Sequence, residues 1–332
     1  MKRIFLILLA ILFALNACAF AAEWPITITD QAGREVTIDK EPESIVSGYY
    51  IATSTLIALD CDDRLVGVEA KAQKRAIYAL SAPQLIDLPN VGSAKEFDLE
   101  TCAALNPDLL VLPLRLTELA PKLDELGLTY IFVNPESQDL LQESIALLGA
   151  ATGCDERAQQ LNDFINENLQ SLAAAVEGAE KPLVYLSGNS AFLNTAGPAM
   201  YQHTLIQNAG GENAAQDFSD SYWANVSYEQ LLAWNPDAIV MAADADYTLE
   251  SVLEDANLAA CSAVESGRVY QIPYAIESGD SPVPGSFLAS LWLASELHPD
   301  CFSASDYEAT AIEFYEHFYG FTPEIAALQA AA

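Results

Sequence analysis

Aromatic and cationic side chains gather where this chain leaves an apolar run. Tyr49 and Tyr50 follow SIVSG (44–48), Arg115 follows DLLVLP, and Tyr222 and Trp223 sit just ahead of VSYEQLLAWNPDAIVMA. Lys71, Lys74, Arg75, Lys95 and Arg115 fall within 45 residues, whereas beyond Lys181 the chain has a single cation, Arg268. Rings of this kind can stack on an extended ligand, and the cations can hold an anion through charge-assisted hydrogen bonds. The candidate ligand contacts are therefore Tyr49, Tyr50, Arg75, Lys95, Arg115, Tyr222 and Trp223. Trp223 fits either a cleft wall or the core, while Trp234 and Trp292 lie on apolar helix faces and are expected in the core.

Reaction chemistry finds less support. GNSAF at 188 is not a Gly-x-Ser-x-Gly elbow, and neither a glycine-rich loop ending in Lys-Ser/Thr nor an HExxH is present. What remains for an esterase-like enzyme is Ser187 or Ser190 with His203 and an unassigned aspartate, so no catalytic residue and no cofactor is expected. His203, His298 and His317 are scattered over the second half, which argues against a metal held by the protein itself.

The chain's first residues, MKRIFLILLAILFALNACAFAAEW, place Lys2 and Arg3 before twelve apolar residues, too few to span a bilayer. A signal peptide over 1–21 and an exported, periplasmic or extracytoplasmic, protein are expected. Ala19-Phe20-Ala21 offers release at Ala22, whereas LNAC ending at Cys18 resembles a lipoprotein box and would give a lipid anchor; Asn16 is unusual in such a box and favours release. Without Lys2 and Arg3, 12 Lys+Arg face 47 Asp+Glu, a net charge of −35. Such a surface repels nucleic acid and anionic lipid, and a monomer is expected. Five cysteines remain after Cys18, an odd number, and Cys261 with Cys301 is the one disulfide candidate in the second half.

These residues need elements to hold them, and the chain supplies a repeat. FDLETCAALNPDLLVLP (97–113) and VSYEQLLAWNPDAIVMA (226–242) align without a gap, pairing Glu100 with Glu229 and Asn106-Pro107-Asp108 with Asn235-Pro236-Asp237. Each reads as a short helix with a polar start, an Asn-Pro-Asp break and a buried strand. ITITDQAGREVTI reads as a hairpin. Strands SIVSG, RLVGV, DLLVLP and TYIFVN alternate with helices around 98–105, 116–126 and 138–150. Apolar residues at spacings of three and four make 155–177 one amphipathic helix about 34 Å long. PLVYLSG, AIVMA and RVYQIP then alternate with helices over 199–209, 227–234 and 286–297, before a last helix from about Asp306 to Tyr319. The fold class expected is α/β: two open parallel-sheet lobes, Rossmann-like, with a ligand cleft between them. An N-terminal lobe (22–154), a linker helix (155–180) and a C-terminal lobe (181–332) follow the signal peptide.

TDQAGREVTI followed by IVSGYY, the two Glu…NPD units, TLIQNAGGENAA and SLWLASELHPDCF…FYEHFYGF, in that order, resemble the extracytoplasmic substrate-binding proteins of ABC importers for ferric siderophores, haem and vitamin B12. The likeness covers nearly all of residues 26 to 320. It implies capture of an iron(III)-siderophore-type chelate between the lobes and delivery to an ABC transporter permease. The alternative is a corrinoid (cobalamin or cobinamide), with Trp223 at the position where the family's vitamin B12 binder contacts its ligand. Met200, Tyr201 and His203 could approach a haem. The resemblance also implies that Glu100 and Glu229 dock on permease arginines. Asp98 and Ser227 read as N-caps, however, and a glutamate in a first helical turn gains about 0.3–1 kcal/mol with no partner at all. Where the family carries Arg before the first strand, this chain has Ser44.

Overall fold

The computed structural model describes residues 23–218 and 223–329. The expected signal peptide and its expected cleavage site, Cys18 and Tyr222 lie outside the described residues. Among the described residues no helix is long and apolar enough to cross a membrane.

Strands β1 (Ile26–Thr29) and β2 (Glu35–Ile38) form the expected antiparallel hairpin. Gly33, at φ 76°, supplies the left-handed residue its turn requires. The first lobe is built on β3 (Ile45–Ser47), β4 (Leu65–Gly67), β5 (Leu109–Pro113) and β6 (Tyr130–Val133), in the order β4-β3-β5-β6 with every pair parallel. Helices α1 (Tyr50–Ala58), α2 (Ala76–Ser81), α3 (Leu99–Leu105), α4 (Ala120–Glu125) and α5 (Gln138–Thr152) connect and cover it. The stretch expected to be helical over 116–126 starts as a 3-10 turn, Leu114–Leu119, before α4 takes over with Pro121 in its first turn.

Helix α6 (Asp155–Ala175) follows, about 31 Å long. It buries Ala158, Leu161, Ile165 and Leu172, spaced by three, four and seven residues, while its other faces meet solvent. The second lobe holds β7 (Leu183–Ser187), β8 (Asn194–Ala196), β9 (Glu212–Asn213), β10 (Trp223–Asn225), β11 (Ala238–Met241) and β12 (Val269–Gln271). Its order is β10-β8-β7-β11-β12, with β9 beside β7. Pairs β7–β11, β11–β12 and β7–β9 are parallel, as expected of a parallel-sheet lobe, while β8 runs antiparallel to both of its neighbours, β7 and β10, at one side of the sheet. The cause is the short link Gly188–Leu193, which turns the chain straight back along β7. Helices α7 (Tyr201–Asn208), α8 (Tyr228–Trp234), α9 (Leu249–Leu253), α10 (Ser262–Glu265), α11 (Phe287–Leu297), α12 (Ala304–Tyr319) and α13 (Ile325–Leu328) complete the chain.

Strand alternation divides the apolar residues into layers. On β5, Leu109 and Val111 face one core and Leu110 and Leu112 another; on β11, Ala238 and Val240 split likewise from Ile239 and Met241. Each lobe thereby has an outer core of its own. The inner faces share one continuous cluster that runs from Ile45 and Leu56 through Leu161 and Ile165 to Phe287 and Phe314. Helix α12 returns to the first lobe, where the Tyr319 hydroxyl meets that of Ser54 on α1 at 2.9 Å. Arg157 of α6 ties both, donating to Ala58 O at 2.9 Å and to His317 O at 2.9 Å.

Both Asn-Pro-Asp breaks fold alike. Asn106 (φ 45°) and Asn235 (φ 47°) end α3 and α8 in the left-handed region, where asparagine is tolerated. The aspartate two residues on then accepts backbone N–H groups at the start of the adjacent strand.

Candidate functional site

A cavity of 810 Å³ opens between the sheets. Its walls come from loops that leave the carboxyl ends of strands, the usual binding end of an open α/β sheet. In the first lobe Tyr49 and Tyr50 follow β3, Leu114 and Arg115 follow β5, and Asn134 and Glu136 follow β6. From the second, Asn189 follows β7 and Asp244 follows β11, joined by Gln202, Asp280 and Trp223. Gly48 lets the first loop turn beside the sheet, since a Cβ there would come within 2.7 Å of Leu112.

Tyr49 and Tyr50 meet edge to face, with ring centres 5.5 Å apart and planes at 77°. The Arg115 guanidinium lies 5.8 Å from the Tyr49 ring centre and that of Arg75 stacks 4.1 Å over Tyr50. Arg75 is already engaged: its Nε donates to Glu69 Oε1 at 3.0 Å. That carboxylate, 5% exposed, also accepts Tyr78 OH at 2.8 Å and Thr53 Oγ1 at 2.7 Å. The network is a buttress behind Tyr50 and leaves Arg75 outside the cavity lining. Burial pushes the Tyr50 phenol up to about 12 and Tyr49 higher still, so both rings are neutral at ordinary pH.

The cavity's polar character comes largely from carboxylates and amides. Asp280, 6% exposed, is pushed up to about 6 by burial and then by the charge of Asp244, while Ser278 Oγ donates to it at 3.0 Å. Asp244 is exposed at the rim and Glu136 is half-buried. Gln202 donates its amide to Asp280 O at 2.9 Å, which fixes the loop that carries Asp280. Tyr201, fully packed below the cleft, accepts Ser286 Oγ at 2.7 Å and bonds Gln138 Oε1 at 3.1 Å across the lobe junction. Such a cleft can accept many hydrogen bonds from a large ligand and stack rings on it, but among the described residues only Arg115 adds an uncommitted positive charge to its lining.

Of the residues singled out in the sequence, Tyr49, Tyr50, Arg115 and Trp223 converge on the cleft, and Trp223 is a wall rather than a core residue. The expected cation cluster does not assemble there. Lys71 and Lys74 are exposed on a 3-10 turn, Lys95 is exposed on the turn before α3, and Arg75 is held by Glu69. Trp234 and Trp292 pack in the cores. Met200 reaches the cleft, but His203 turns away to Asn213, 3.2 Å distant, and burial lowers its pKa, which leaves no histidine for a haem iron among the described lining residues. All five cysteines after Cys18 are free thiols in this structure; Cys261 is sealed in the outer core of the second lobe and Cys301 is exposed on the turn after α11. Among the described residues no cluster of His, Cys, Asp and Glu could hold a metal.

Glu100 and Glu229 are both exposed in the first turns of α3 and α8. Asp98 caps α3 by accepting Thr101 N at 3.0 Å, and Ser227 caps α8 by accepting Gln230 N at 3.2 Å. Because each helix turns tightly into the start of its strand, its first turn points the same way as the strand's carboxyl end, toward the cleft side of its lobe.

Sequence reasoning missed Asn134, Glu136, Asn189, Gln202, Asp244 and Asp280. A usable signal existed for three of them: Asn134 directly follows TYIFV, Asn189 follows VYLSG and Asp244 follows AIVMAA, all at strand ends. Asp280 sits in the long connection after β12, where no local pattern marks it.

Comparison with known proteins gives a consistent picture. Residues 45–275 match the family described as periplasmic binding protein. The chain is 24% identical to the molybdate-binding protein MolA of Haemophilus influenzae over 94% of this chain and 97% of that protein. It is 29% identical to the cobalamin-binding protein of Halobacterium salinarum over 70% of this chain and 61% of that one. A crystal structure of a periplasmic solute binding protein from Veillonella parvula superposes with a TM-score of 0.77 at 27% identity, covering 91% of this chain and 95% of that chain.

Proposed function

Given that the chain belongs to the periplasmic binding protein family, as a substrate-binding protein of an ABC importer and not an enzyme, we propose that its ligand is a corrinoid, a cobalt macrocycle fringed with primary amides. The observation that carries this reading is the charge of the cleft. Glu136, Asp244 and Asp280 are set against one uncommitted guanidinium, Arg115. Carboxylates, Asn134, Asn189 and Gln202 suit amide donors, and Tyr49, Tyr50 and Trp223 suit the face and rim of a macrocycle. A small oxyanion such as the one named for the Haemophilus protein would fill little of 810 Å³ and would face those carboxylates. The relative named as cobalamin-binding agrees with the reading.

The second reading is the ferric siderophore-type chelate, which Arg115 beside Tyr49 favours. The functional lobes would comprise residues 22–154 and 181–332, held by the stretch 155–180. Glu100 and Glu229, one on each lobe, would meet basic residues of the permease.

Tryptophan fluorescence during titration with cyanocobalamin, cobinamide, a ferric catecholate, a ferric hydroxamate, haem and molybdate separates these. The corrinoids should bind with micromolar or tighter affinity that changes little with salt, since few exposed charge pairs contribute. Salt-sensitive binding of the catecholate, with the corrinoids silent, would overturn the corrinoid reading in favour of the chelate.

A further inference from the structure

We propose that Cys61 and Cys154 form a structural disulfide in the exported protein, stapling the root of the connecting helix α6 to the first lobe. Their sulfurs lie 3.2 Å apart although 93 positions separate them in the chain. A bonded pair sits at about 2.05 Å, so closure needs a shift of about an ångström, within reach of small rotations of two side chains. Cys61 follows α1 and is fully buried; Cys154 is the residue before α6 and is half-buried. The surrounding backbone is already pinned, for Arg64 Nη1 donates to Thr152 O at 2.8 Å and pairs with Glu41 at 3.0 Å.

The asymmetry of the pair sets the order of the chemistry. Only Cys154 is reachable from solvent, and its contact with Cys61 and the nearby Arg64 charge lower its pKa while the same contact raises that of Cys61. The Cys154 thiolate attacks one sulfur of an exported oxidant's disulfide and expels a thiolate. Cys61 then loses its proton and attacks the Cys154 sulfur of the mixed disulfide, expelling the second thiolate. The chain gives up two protons and two electrons, and the oxidant's disulfide becomes two thiols.

The bond would close a loop containing β4, β5 and β6, three of the four strands of the first lobe's parallel sheet, and fix where α6 leaves it. No cleft residue takes part, and the second lobe gains no covalent tie of its own.

The test uses the whole chain exported with its own leader and purified without reductant. It is alkylated in denaturant, digested and read by mass spectrometry. The expected result is one disulfide-linked peptide pair carrying Cys61 and Cys154, with Cys102, Cys261 and Cys301 alkylated. Reductant should lower Tm by several degrees in this protein and not in Cys61→Ala/Cys154→Ala. Alkylation of Cys61 and Cys154 in the unreduced protein, persisting after incubation with glutathione disulfide, would overturn the proposal; so would a Cys261–Cys301 link in their place.

Discussion

In the first lobe the aspartate of the Asn-Pro-Asp turn, Asp108, accepts the backbone N–H groups of Glu43 and Ser44 and the Ser44 hydroxyl, each at 3.1 Å, and pairs with Lys40 at 2.8 Å. Its counterpart in the second lobe, Asp237, accepts the N–H of Leu183 at 2.8 Å. Ser44 thus has a role in anchoring β3. One backbone solution has been used twice, with richer side-chain support in the lobe whose sheet is smaller. The cleft walls diverge more. The first lobe offers a tyrosine pair and Arg115; the second offers Trp223, Asp244 and Asp280. Repetition governs how the lobes fold, while the loops at the strand ends, which carry no fold-forming duty, are free to differ.

The largest expected effect tests whether the lobes are equivalent where they are exposed. Glu100→Lys with Glu229→Lys should abolish stimulation of the permease ATPase and leave ligand affinity within about twofold, because exposed like-charge contacts at an interface cost several kcal/mol. Normal stimulation by the double variant would reduce both glutamates to helix-end residues.

Stability should next distinguish the two turns. Asp108→Ala is expected to cost about 2–3 kcal/mol in urea unfolding and Asp237→Ala about 1 kcal/mol, following the number of donors each leaves unpaired. Equal losses would show that backbone anchoring dominates and the extra partners of Asp108 contribute nothing.

The walls of the cleft are compared by Trp223→Ala and Arg115→Gln. Under the corrinoid reading the first should weaken cobinamide binding by about tenfold or more and the second by less than about threefold, measured by calorimetry. The reverse ranking points to an anionic chelate held from the first lobe.

A pH-dependent effect concerns the lobe junction. Glu277, whose Oε2 is enclosed without a partner, is pushed up to about 7 by burial, although Ser54 and Arg75 favour its charged form. An unfolded glutamate loses its proton near 4.5, so between 4.5 and 7 the folded state binds the extra proton and stability falls as pH rises. Glu277→Gln should remove that slope and stabilise the protein at pH 7.5 by about 1–2 kcal/mol relative to wild type. A Tm difference between variant and wild type that stays constant from pH 5 to 7.5 would contradict it.

Most elements were legible because their causes are local. Period-two alternation, the three-and-four spacing of α6, the caps at Asp98 and Ser227, and the Asn-Pro-Asp breaks all act within a few residues, so the order of strands and helices and the two-lobe plan could be read directly. The repeat itself announced two similar halves. The reversed strand β8 and its partner β10 were not legible, since NTA and WAN are too short to carry a pattern.

What the tertiary structure alone decided is where charge ends up. Lys71, Lys74, Arg75, Lys95 and Arg115 look like one cluster along the chain, yet the fold turns three of them to solvent and gives Arg75 to Glu69, because a buried carboxylate must find a partner and the nearest guanidinium supplies it. Asp280 and Asp244 enter the cleft from different connections, and Cys61 meets Cys154 across 93 positions. Local sequence sets the conformation of a segment through steric and hydrogen-bonding preferences that reach a few residues. Which distant side chains then share a low-dielectric space depends on how whole elements pack, and no spacing along the chain encodes that.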